Sequence, residues 1–135
     1  MSDQQVLQAV RANSMAMNAR VPDQYAHTFT EDLVWEGDHL PAPVIGRQAA
    51  VQVMGAFWSA FPDLHFEVER EFASGDQAAI CWRVTGTHQG DFVGIPPTGK
   101  QVDYHGCAIF QVRDGKIARV WTYVDTGTIL RQLGV

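Results

Sequence analysis

The chain is short of everything that would tie it to nucleic acid, a membrane or a metal. Ten Lys and Arg residues stand against fifteen Asp and Glu, a formal net charge of −5, and no basic cluster occurs. Binding through phosphate neutralisation is therefore not expected. Apolar runs are only a few residues long, against the ~20 that a spanning helix requires. The opening residues, Met1-Ser2-Asp3-Gln4-Gln5, have neither a basic n-region nor an apolar h-region, so a cytoplasmic location is expected. Cysteine is scarce: Cys81 and Cys107 match no metal or redox spacing. They read as free buried thiols in a reducing compartment. HExxH, Cys/His clusters and carboxylate pairs at helical spacing are missing, so no metal is expected. GxSxG and P-loop motifs are missing too, and Gly90, Gly94 and Gly99 are spaced wrongly for a dinucleotide fingerprint. No cofactor is expected.

What is present is ordinary globular material. Hydrophobic residues make up 46% and charged residues 19% of 135 positions, which fits one domain over 1–135 with a sizeable core. The first half reads helical. Val6, Leu7, Val10, Met15 and Met17 form a loose 3.6-period stripe over 3–19, with Ser2 or Asp3 as N-cap. Pro22 stops that helix, and Asp23 reads as the N-cap of a short second one. Leu33–Glu36 is a strand candidate, followed by a loop with Pro41 and Pro43. A stronger helix covers 47–60, where Ala50, Val53, Met54, Phe57, Trp58 and Phe61 sit three and four apart.

The second half reads as strands. Leu64, Phe66 and Val68 alternate with His65, Glu67 and Glu69. Further strands are predicted over 77–88, 101–112 and 116–125, with turns at Ser74-Gly75-Asp76 and Arg113-Asp114-Gly115. A short helix or turn from Thr128 to Leu133 closes the chain. Helices first and a strand meander afterwards imply an α+β fold, with helices packed on one face of a curved antiparallel sheet. Such a sheet encloses an apolar cavity suited to a small molecule.

The segment Gly86-Thr87-His88-Gln89-Gly90-Asp91-Phe92-Val93-Gly94-Ile95-Pro96-Pro97-Thr98-Gly99-Lys100 is similar to a loop of the SnoaL-like polyketide cyclases, in the NTF2-like superfamily. So are Asp114-Gly115-Lys116-Ile117, Trp121 with Asp125 four residues later, Leu130 to Gly134, and the junction Ala60-Phe61-Pro62-Asp63-Leu64. The resemblance spans nearly the whole chain in order. It implies a cone-shaped α+β barrel, a homo-oligomer, and chemistry without metal or organic cofactor. In that family an aspartate near the end of the last strand is the general acid/base, and Asp125 looks like that position. Activity is less closely specified, because one fold hosts many functions.

The residues themselves support two readings of Asp125. Strict alternation over 117–125 puts it on one face with Ile117, Arg119, Trp121 and Tyr123. An aspartate carried inward beside Trp121 and Tyr123 would have its pKa raised by desolvation and would serve as a base. The other reading is an N-cap for the last helix. His105 depends on the hairpin. A two-residue Asp114-Gly115 turn puts Tyr104 opposite Asp125. A three-residue Arg113-Asp114-Gly115 loop puts His105 opposite Tyr123 and, with Gln111, on the face of Asp125. The three-residue loop is preferred, which makes Asp125 and His105 the candidate catalytic pair.

Glu36 stands where many SnoaL-like relatives carry a histidine. It is either a second cavity carboxylate or a solvated edge residue. Trp35, Trp58, Trp121, Tyr123, Glu36 and Gln111 complete the candidate pocket. The expected reaction is an intramolecular aldol-type cyclisation of a polyketide-like, hydrophobic carbonyl compound by proton transfer. Alternatives are an isomerase or epoxide hydrolase on the same fold, or a small-ligand binder in which Asp125 only caps. A dimer or tetramer is expected, because the sheet's outer face needs cover.

Overall fold

The computed structural model describes residues 2–135. Helix α1 spans Asp3–Ala19 and opens on a capping box in which Ser2 and Gln5 satisfy each other's backbone N–H groups. Its buried stripe is Val6, Val10, Ala16 and Met17, together with two polar residues, Asn13 and Ser14. Helix α2, Pro22–Ala26, has Pro22 in its first turn and Val21 as N-cap. Asp23 therefore lies inside the helix and not at its cap, since the fixed φ of proline already suits the first helical position. Helix α3 covers Arg47–Ala60 as the spacing predicts, and α4 covers Thr126–Leu133. No helix among the described residues is long and apolar enough to cross a membrane.

Six strands form one open sheet: β1 Phe29–Gly37, β2 Val44–Ile45, β3 His65–Ser74, β4 Gln77–Thr87, β5 Gln101–Arg113 and β6 Lys116–Val124. Their order is β2-β1-β6-β5-β4-β3. The expectation of a wholly antiparallel sheet needs correction, because β1 runs parallel to β6. The long excursion through α3 and the β3–β6 meander supplies the crossover that parallel pairing demands. Helices cover the concave face, where Phe29, Leu33, Phe61, Ile80, Ile117 and Val112 are almost wholly buried.

The β5–β6 hairpin decides the site, and it follows neither predicted register. Arg113 opposes Lys116 across a two-residue turn, with Asp114 at φ 53° and Gly115 at φ 78°. That is the left-handed pair a type I′ turn requires. The preferred three-residue loop is thus not formed. Val112 pairs with Ile117, yet Gln111 pairs with Arg119, so Ala118 is an extra residue in a β-bulge. Ile117 and Ala118 are both buried, and from there Val120, Thr122 and Val124 turn inward. One inserted residue reverses the parity of everything after it. The strict alternation predicted from Ile117 to Asp125 does not exist.

Candidate functional site

Beneath the helices lies a cavity of about 90 Å³, lined almost entirely by apolar side chains. That is several times what one water needs. Its shape follows from the cross-strand neighbours of β6. Val120 sits between Trp35 on β1 and Phe110 on β5, so large partners fill the space beside a small residue. Thr122 sits between Gly37 and Ala108, two small residues that leave room. A Cβ on Gly37 would come within 2.4 Å of the Thr122 hydroxyl oxygen.

Polar groups are few and meet at that spot. Trp35 Nε1 donates to Thr122 Oγ1 at 3.0 Å, and His39 Nε2 lies 2.9 Å from the same oxygen. The His39 ring stands edge-on to Trp35, with centroids 6.2 Å apart. Burial lowers the His39 pKa, and nearby Asp38 opposes the shift only in part. A neutral imidazole facing an apolar cavity at neutral pH is a proton acceptor. Tyr104 and Tyr25 also line the cavity, and burial raises both pKa values well above the ordinary phenol range. They stay protonated, so each keeps a hydroxyl proton to donate and neither serves as a base. Asn13, buried on α1, donates to Thr28 Oγ1 at 2.9 Å and lines the same wall as Tyr25.

The candidate pair lies elsewhere. Asp125 is at the N-terminus of α4, where its carboxylate accepts from Thr128 N at 3.1 Å and Thr128 Oγ1 at 2.7 Å. These bonds, side chain first, lower its pKa. The expected inward orientation and raised pKa are therefore corrected: Asp125 is an exposed N-cap outside the cavity. His105 meets it only through the backbone, Asp125 N donating to His105 O at 3.3 Å, and Cys107, not His105, lies opposite Tyr123. Asp125 and His105 both face outward, and His105 Nε2 lies 3.3 Å from Glu69.

The other candidates divide between the two faces. Trp35 lines the cavity. Trp58 does not: it packs on Tyr25 and donates to Met17 O at 3.0 Å, tying α3 to α1. Trp121 is on the outer face under the Arg119 guanidinium, 4.9 Å from the ring centroid. Tyr123 is 55% exposed on that face. Glu36 points outward too, 3.7 Å from Arg119, and Gln111 donates to Asp76 at 3.1 Å. The bulge carried Trp121, Tyr123 and Asp125 outward together. Sequence reasoning missed His39 and Thr122, and it considered Tyr104 only as a neighbour of Asp125 in the register that was not preferred. The one available signal was a histidine just past the strand, three residues beyond Glu36. The cysteines are also corrected: Cys107 is exposed and Cys81 half-buried, both on the outer face.

An open, curved α+β sheet closed by helices over an apolar cavity defines the NTF2-like class. The model of the SnoaL-like polyketide cyclase family matches residues 7–133, and the chain belongs to that family. It is similar to AclR of Streptomyces galilaeus, a proposed hydroxylase, at 28% identity and a TM-score of 0.87, over 98% of this chain and 83% of that one. It is similar to wild-type IdmH of Streptomyces antibioticus, a proposed polyketide cyclase, at 28% identity and a TM-score of 0.83, over 96% and 99%. TsrD of Streptomyces laurentii shares the fold at 24% identity and a TM-score of 0.88, over 99% and 98%. No curated protein matches significantly.

Proposed function

We propose that this chain is a cofactor-free acid/base enzyme that cyclises a small, hydrophobic, carbonyl-bearing molecule of polyketide type, with His39 as the proton-transfer group. The observation that carries this reading is a lowered-pKa histidine held against Thr122 and Trp35 in an otherwise apolar cavity. The His39 imidazole takes a proton from carbon alpha to one carbonyl. The enolate so formed bonds to the carbon of a second carbonyl in the same molecule. The imidazolium then returns the proton to the new alkoxide. The Tyr104 hydroxyl, kept protonated by burial, is the donor available to the enolate oxygen. Two relatives of equal identity bear different reaction names, so the reading rests on the cavity and its histidine and not on a relative's name.

Turnover of poly-β-ketone and diketone compounds by His39→Asn and Asp125→Asn tests the assignment. His39→Asn is expected to lose roughly 10²-fold in kcat/KM, the usual scale for a general base, while Asp125→Asn stays near wild type. The reverse order would return the base to Asp125. Binding without turnover that survives both changes would favour the second reading, a small-ligand binder, which the almost wholly apolar lining also suits.

The chain is further proposed to work as a homo-oligomer. Phe72, Ile109 and Tyr123 are exposed on the outer face of the sheet beside half-buried Trp121, an apolar band that a second copy would cover. A monomer by light scattering at micromolar concentration would contradict this.

A further inference from the structure

The cavity has a second polar spot that the proposed proton chemistry does not use. Asn13 is 3% exposed and Tyr25 2%, and both line the cavity. Thr28 Oγ1 gives its one proton to Tyr25 O at 2.7 Å. It can therefore only accept from Asn13, whose Nδ2 lies 2.9 Å away. That bond fixes which end of the carboxamide faces Thr28. The same amide bonds the Tyr25 hydroxyl oxygen and is the hydroxyl's one hydrogen-bonding neighbour among the described residues. An oxygen that accepts from Asn13 keeps its own proton to give. Burial holds that hydroxyl well above the ordinary phenol range, and the Asn13 contact opposes the shift only in part.

The spot lies at the end of the cavity away from His39. Ile117 N donates to Thr28 O at 2.9 Å, which sets Asn13 and Tyr25 beside the first rung of β1 with β6. His39 meets Thr122, five residues on. That is roughly 13 Å of strand once the bulged Ala118 is discounted. Apolar lining separates the two ends, and no Lys or Arg is part of it.

We propose that Asn13 and Tyr25 form a recognition subsite for a neutral hydroxyl group of the ligand, remote from the carbonyl that His39 enolises. A hydroxyl accepts one hydrogen bond and donates one, which matches the Tyr25 O–H and the Asn13 carbonyl oxygen. A ketone oxygen would use Tyr25 alone. A carboxylate would meet the Asn13 oxygen with no cation nearby, in an apolar space where an unpaired charge is costly. The subsite thus selects hydroxylated over bare hydrocarbon ends and neutral over anionic ones. It deepens the cyclase reading, and its effect on turnover rests on that reading, whereas its effect on binding does not.

Binding of para-ethylphenol, ethylbenzene and para-ethylbenzoate to the full chain is measured by calorimetry at neutral pH. The phenol is expected to bind roughly tenfold more tightly than ethylbenzene, the scale of one or two neutral hydrogen bonds, and the benzoate more weakly than either. Tyr25→Phe keeps the ring and is expected to erase the phenol's advantage. Asn13→Leu is expected to do the same, and circular dichroism checks that both variants fold. His39→Asn is expected to keep the advantage even where turnover is lost, so the subsite and the base fail separately. With diketones that carry a remote hydroxyl, Tyr25→Phe is expected to raise KM severalfold and leave kcat near wild type. A phenol preference that survives in both folded variants would overturn the proposal. So would a preference lost in His39→Asn but kept in Tyr25→Phe, which would put the hydroxyl at the Thr122 end. A fall in kcat at unchanged KM in Tyr25→Phe would overturn it too, by moving Tyr25 into the chemistry.

Discussion

The two faces of strands β3 to β6 are built from similar residue types and have opposite uses. The concave face holds Phe66, Trp82, Tyr104 and Phe110 at 5–7% exposure, arranged around Thr122 and His39. The convex face holds Phe72, Trp121 and Tyr123 among Arg83, Asp103, His105 and Glu67. Aromatic content does not distinguish cavity from surface in this sheet. Cross-strand neighbours do: large side chains turn inward where small ones on the next strand make room, and pairs such as Gly37 with Thr122 leave the remaining space as the site.

The comparison breaks most visibly on one strand. Phe66 and Phe72 both lie on β3, yet Phe66 is 7% exposed and stacks on Trp82 while Phe72 is 67% exposed. Phe66→Ala is expected to cost about 3 kcal/mol or more in urea unfolding, and Phe72→Ala about 0.5 kcal/mol or less. Equal losses would show that the convex face is packed as tightly as the core. Gly37→Ala comes next, since its Cβ would press on the Thr122 hydroxyl. Overpacking of this kind costs about 1–3 kcal/mol. Thr122→Ala in the same chain is expected to relieve much of it, and denaturant midpoints of the two variants check this.

His39 sharpens the comparison through pH. Its pKa in the fold is depressed by burial, so the stability it contributes is fully present above the unfolded histidine value of about 6.5. As pH falls below that value, the unfolded chain takes up a proton that the folded chain refuses, and stability declines until the folded pKa is passed. Activity is expected to fall at more acid pH, as the folded pKa is passed and the imidazole gains its proton. A kcat/KM profile that keeps its acid limb in His39→Asn would remove His39 from the chemistry. The smallest effect is expected at Asp125 on the convex side. Its depressed pKa comes first from the Thr128 hydroxyl and then from the Thr128 backbone. The cap therefore supports the fold above the ordinary aspartate range and is lost as pH falls through the folded pKa. Asp125→Ala should lower the Tm slightly at neutral pH, and the difference from wild type should vanish in acid.

Much of the secondary structure was legible because it rests on local rules. Ser2 with Gln5 marks the start of α1, and the spacing of Ala50, Met54 and Phe57 marks α3. Asp114-Gly115 marks a hairpin. The cap reading of Asp125 was legible as well, three residues ahead of Thr128. The inward set of β6 was not. Its parity hinges on Ala118, an ordinary alanine in sequence that becomes an extra residue only when β6 is aligned on β5. The two-residue β2 had no signal of its own, and it exists because Val34 and Trp35 offer it an edge.

The amino-acid sequence by itself determined the kind of protein: the α+β order, the family pattern from Ala60 to Gly134, and an acidic charge balance. Those properties are carried by composition, turn chemistry and hydrophobic period, which act over a few residues. Only the tertiary structure decided which side chains share the cavity. A strand has two faces, and the choice between them is made by register with its neighbours. One bulged residue sent Asp125, Trp121 and Tyr123 to the outside, brought Thr122 inward, and set it beside a histidine from a distant loop.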